Sequence, residues 1–203
     1  MTVDATAAGH DLSKVGVALT GAAAILPLPN AAFTAPASAA FGADEFTIPS
    51  GFVGLGLRTT DGAPEWADEQ DGDAIEFFED GYSIPSGMVN STCKMILAQT
   101  EPMVVELKAG TALDANGVAD VDLGGNAKRY VLYTEEVYKT ADPDVMLYER
   151  RMAEVSVQSV VAAKPERGSV RGWTVTFKNH RSVLFGSRHY RYAQKFVDAT
   201  PTP

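Results

Sequence analysis

The stretch STCKMILAQTEPMVVELKAG (91–110) changes period halfway along, and that change decides the reading of the fold. In its first half Cys93, Met95 and Leu97 point to one side of an extended chain, with Thr92 and Lys94 on the other. This is the two-residue period of a half-buried strand. The signals then turn helical. Thr100 is placed to cap a helix N-terminus, Glu101 suits the positive end of its dipole, Pro102 fits the first turn and Gly110 ends it. One strand therefore runs into one short helix.

Outward from that stretch the chain reads as β. Residues 15–26 are one strand and residues 52–60 another, ending at the turn Asp61-Gly62. A short strand is expected around Ile75–Phe78, before the turn Asp80-Gly81 and the Pro85-Ser86-Gly87 bend. Asn116-Gly117 marks a tight turn in the loop after the helix. Tyr130–Lys139 and Met146–Ala163 form a strand pair around Ala141-Asp142-Pro143-Asp144. Then Trp173, Val175 and Phe177 alternate with Thr174, Thr176 and Lys178, and residues 183–197 add a last strand. About seven to nine strands at this spacing predict a mainly β fold, a β-sandwich or barrel with one short flanking α-helix and extended arms.

Residues 27–50 (with PLPNAAFTAPASAAFG at 27–42) are rich in Pro, Ala and Ser, with Phe33, Phe41 and Phe46 scattered among them. Such a segment cannot build its own core, yet its aromatic rings need cover, so an arm laid across another surface is expected. The chain divides into an N-terminal strand and arm (1–50), a β domain (51–197) and a flexible end (198–203). The first ten residues are expected to be disordered in the free subunit.

A length of 203 residues suffices for a sizeable core, and 45% apolar with 21% charged residues is a globular composition. Cys93 is the single cysteine, which excludes an internal disulfide and a structural zinc site and reads as a buried, inert thiol. Residues 15–28 look like the apolar core of a signal peptide, but Asp4 and Asp11 precede it against Lys14 alone, the wrong charge for export. The segment is too short to span a bilayer and ends in Pro27 and Pro29, so a soluble protein with no membrane partner is expected.

Catalytic motifs fail one by one. In GFVGLGLR (51–58) Gly54 and Gly56 are followed by Thr59 where a dinucleotide fingerprint needs its third glycine, and no βαβ pattern surrounds them. Aligning Asp71-Gly72 with the centre of a calcium loop puts Ala67 first and Phe78 where a bidentate glutamate belongs. His10, His180 and His189 have no metal spacing, and no Gly-x-Ser-x-Gly elbow exists. Asp142 and Asp144 are the best acid pair for a hydrolase and look like turn residues. No catalytic, metal or cofactor-binding residue is assigned, and no cofactor is expected.

The net charge of −9 argues against non-specific nucleic-acid binding. Its distribution is more informative. Residues 61–80 hold nine acidic side chains, among them Asp68, Glu69, Asp71 and Asp73, and no Lys or Arg. Residues 164–195 hold eight cations, among them Arg181, Arg188 and Arg191, against Glu166 alone. Two solvated faces would account for this. The sharper expectation is that the blocks meet, within a subunit or between neighbours, and fix register. These seven residues, with Phe33, Phe41 and Phe46, are the candidate subunit-interface residues. The run Arg188-His189-Tyr190-Arg191-Tyr192 mixes cations and aromatics as single-strand nucleic-acid binders do, and equally as a subunit contact does.

Three segments, KVGVALTGAAAILPLP (14–29), GFVGLGLRTTDGAPE (51–65) and STCKMILAQTEPMVVELKAG (91–110), in this order and at this spacing, resemble the major tail tube protein of long, non-contractile-tailed bacteriophages, especially those of actinobacterial hosts. The resemblance runs from about Val15 to about Asp198. It implies a structural, non-enzymatic virion protein, assembled in the host cytoplasm. Its hexameric rings would stack into a tube, with the sheets joined around a lumen. The tape measure protein fills that lumen, tail terminator and tail-tip proteins bound the tube, and DNA passes only in transit. The long arm 27–50 and the dense acid at 61–80 depart from the usual pattern. Strand alternation nominates a polar lumen lining of Asn90, Thr92 and Lys94, with Glu154, Ser156 and Gln158. The alternative is that these faces meet solvent outside. A virion decoration or adhesin-type β domain, and a β-sandwich hydrolase, stand as rival readings.

Overall fold

The computed structural model describes residues 14–78, 81–84, 87–121 and 128–198, without the side chains of Asp71 and Met88. The expectations for residues 1–10, for the turn at 80–81 and for the bend at 85–87 fall wholly or partly outside that set. The fold is mainly β. One antiparallel sheet of eight strands contains β1 (Val17–Leu28), β2 (Val53–Gly54), β3 (Glu65–Asp71), β6 (Met88–Leu97), β7 (Arg129–Lys139), β8 (Val145–Ala162), β9 (Trp173–His180) and β10 (Tyr190–Asp198), in the order β2-β1-β7-β8-β9-β6-β3. β4 (Ile75–Glu76) and β5 (Ser83–Ile84) pair only with each other. The helices are α1 (Ser38–Phe41) and α2 (Pro102–Ala109).

β8 is the spine. β7 runs along one of its edges. Along the other edge β9 takes residues 154–162 and β10 takes 145–153, end to end, with residues 181–189 looped out between them. The expected strand 52–60 is mostly absent. Beyond β2 it becomes a strap: Leu55 N donates to Ala23 O at 2.9 Å, and Ala98 N donates to Leu57 O at 2.8 Å. Two residues span at most about 7 Å, so the strap ties β1 to β6 across a single stave's width. The sheet thereby curls into a barrel rather than splitting into two stacked sheets. Gly56, at φ 73°, makes the turn between the two attachments.

The barrel interior holds Ile25, Leu55, Met95, Leu97, Leu132, Val155, Val175 and Phe177, and Val104 and Leu107 of α2 pack against it. Cys93 lies there too, fully buried, and burial pushes its thiol well above the ordinary range. α2 starts one residue later than expected. Glu101, not Thr100, is its N-cap residue and makes no side-chain cap, while Pro102 opens the helix and Gly110 closes it at φ 76°.

The arm is corrected most. Successive residues of a strand face opposite ways, and on the outer face Leu26, Val131, Tyr133 and Met152 form a second core with Phe33, Phe41 and Phe185. Phe46 packs against it and edges onto Phe41 with ring centroids 5.3 Å apart. The three phenylalanines expected at a subunit interface are therefore covered by their own chain. Arg150 fastens the arm: it is buried, donates to the carbonyls of Ala43 and Asp44, and pairs with Glu135. Its guanidinium also lies over the Phe46 ring, 5.6 Å from the ring centre.

Candidate assembly surface

The arm covers only one end of the outer face. Beyond it, across β3, β6, β9 and the second half of β8, the sheet is bare. The cross-strand rows there run Glu65–Lys94–Thr176–Ser159 and Ala67–Thr92–Lys178–Ser156, with Glu69 opposite Asn90 and Glu154 opposite His180. Five of the six nominated lining residues, Asn90, Thr92, Lys94, Glu154 and Ser156, therefore share one face. Gln158 does not keep the pattern. A bulge between Val157 and Ser159 puts Ser159 opposite Thr176, so Ser159 and Val161 continue the face in its place.

Two of the cations on this face are paired, while Lys178 and Glu69 are exposed and have no ion pair among the described residues. Lys94 Nζ sits 2.9 Å from Glu65 Oε2, and Arg129 Nη1 lies 3.9 Å from Glu154 Oε1. Ser156 Oγ lies 2.8 Å from His180 Nε2, a contact that sequence separation hid. Burial, with Arg129 beside it, holds the His180 imidazole below its ordinary range. Among the described residues no carboxylate hydrogen-bonds its other nitrogen, so the pair lacks the orienting acid of a catalytic triad. Asp142 accepts from Asp144 N at 3.0 Å and is a turn residue.

At one end of the barrel sits a buried charge cluster. Arg58 on the strap reaches Glu136 on β7 at 3.5 Å, and both side chains are nearly inaccessible. Gly21 makes this possible, because a Cβ there would lie 2.7 Å from Arg58 Nη2. Burial raises Glu136 to about 7 despite Arg58 and Arg151, and its Oε2 has no hydrogen-bond partner.

The charged interface candidates are scattered. Asp68 accepts a 2.6 Å bond from Tyr190 Oη, and Glu69 and Asp73 are exposed. Arg191 donates to Pro36 O and so holds the arm of its own chain, a correction to its interface role. Arg181 donates to Ser187 O at 3.0 Å, and Arg188 is exposed on the same loop. Among the described residues no ion pair joins 61–80 to 164–195. The side chain of Asp71 lies outside the described set.

Metal and membrane geometry add nothing among the described residues: no cluster of three potential ligands occurs, and no helix is long and apolar enough to cross a membrane. No protein-family model and no curated protein matches the chain.

Proposed function

We propose that the chain is the repeating subunit of a phage tail tube, forming stacked hexameric rings through which DNA leaves the virion. The observation that carries this reading is the bare outer sheet face, rich in hydroxyls and with most of its cations paired, ending at β3, the last strand of the sheet. A conduit for a polyanion must be wettable without offering an array of free cations. Here Lys94 is paired with Glu65 and Arg129 with Glu154, which leaves Lys178 as a lone exposed cation among the described residues of the face rather than one of an array. An open strand edge is a liability for a monomer and is consumed when neighbouring sheets join in a ring. The tape measure protein would fill the lumen, and terminator and tip proteins would close the ends. Negative-stain electron microscopy of the purified protein tests the reading. Rings or tubes with a central channel support it, and a monomer that persists at high concentration contradicts it.

A further inference from the structure

We propose that the acidic, aromatic β4–β5 hairpin of one copy docks in the basic groove beside the 181–189 loop of a second copy. The inference rests on the repeating-subunit reading for the identity of its partner. The contact itself is argued from the two surfaces.

The hairpin stands apart from the barrel's sheet. Its backbone ties are the pairs Ile75–Ile84 and Glu76–Ser83 and a 3.0 Å bond from Phe77 N to Tyr82 O. Its large apolar side chains, Ile75, Phe77, Phe78, Tyr82 and Ile84, are all exposed, Phe78 completely. A lone two-stranded hairpin is marginal in water, and an apolar patch of this kind marks a contact surface. Its three rings would bury about 150–250 Å² each. That is a large share of the roughly 800 Å² per partner of a standard interface.

The receiving groove has a volume of about 420 Å³ and is lined by Gly87, Val89, Arg181, Ser187, Arg188 and His189. Val89 is half exposed, and Val183 stands almost bare on the same loop. The groove thus offers apolar contact ringed by cations, and the hairpin offers aromatic rings flanked by Asp73 and Glu76. Neither Arg181 nor Arg188 has a carboxylate partner among the described residues. Charge complementarity therefore selects a second copy of this chain. Because hairpin and groove are different surfaces, the contact is heterologous and does not close on itself between two copies. It continues from copy to copy, either closing into a ring or running on along a stack, and a tube of stacked rings uses both kinds of contact.

The test mixes two singly substituted full-length proteins, Phe78→Cys and Val89→Cys, under mild oxidation. Both sites are exposed, and the native Cys93 is buried. The expected result is a disulfide heterodimer in excess of either homodimer, reduced when the second protein also carries Arg188→Glu. Homodimers in statistical proportion overturn the proposal. So does a Phe78→Cys/Val89→Cys double variant that cross-links within one chain regardless of dilution. Tubes seen by microscopy without the heterodimer overturn this contact and leave the tube reading standing. The heterodimer without rings or tubes does the reverse.

Discussion

Glu136 is the residue whose chemistry most constrains behaviour in solution. Its carboxyl is raised from 4.5 to about 7, chiefly by burial. A raised carboxyl contributes stability that is complete below its unfolded value and is lost as pH rises through the folded one. Between pH 4.5 and about 8 that loss amounts to roughly 3 kcal/mol by linkage. Urea unfolding at pH 5 and pH 8 should therefore show the Glu136→Gln protein losing less stability across that interval than the parent. Parallel losses in the two proteins would contradict the account of the cluster. Nothing in the sequence marked this residue, because Arg58 and Glu136 are far apart in the chain and meet only when the strap crosses Gly21. Cys93 was legible, since its neighbours alternate and its side chain falls on the apolar face of β6.

At the scale of elements, the strand–helix unit 91–110 could be read because periodicity is a local property. The β7–β8 hairpin and the alternation of β9 were equally legible. The arm was not. Its phenylalanines follow no period, because a mostly irregular segment has no fixed contact spacing, so the sequence carries no local sign that the chain's own sheet covers them. One signal pointed the other way: Tyr130-Val131-Leu132-Tyr133 is apolar on both faces, which demands cover on both. The acidic stretch hides β3 for a related reason. EWADEQD is a poor strand by composition, yet β3 pairs with β6 throughout, and its single ring, Trp66, packs against the inner core. The arm's attachment gives a direct test. Arg150→Met leaves Glu135 without its cation and the Ala43 and Asp44 carbonyls without their donor. Because Glu135 stays partly exposed, the loss falls below the roughly 3–5 kcal/mol of a fully buried pair. Limited proteolysis should then cut within residues 34–46 while the barrel stays intact. Unchanged resistance there would mean that the phenylalanines alone hold the arm.

For the whole molecule, the central claim is that the bare outer face lines a channel. The barrel interior is sealed by the strap and α2, and one end of the outer face is covered by the arm, which leaves the polar face of β3, β6, β9 and the second half of β8 bare. Sequence alternation found five of its residues and missed the bulge at Gln158, since an inserted residue shifts the period without changing composition. The most direct measurement is the labelling rate of a Thr92→Cys protein in intact tubes, using a maleimide carried on a polymer too wide to enter the channel. The account predicts labelling many times slower in tubes than in dissociated subunits, with a Val170→Cys control labelled alike in both. Equal rates for Thr92→Cys in the two states would place that face on the outside and contradict the account.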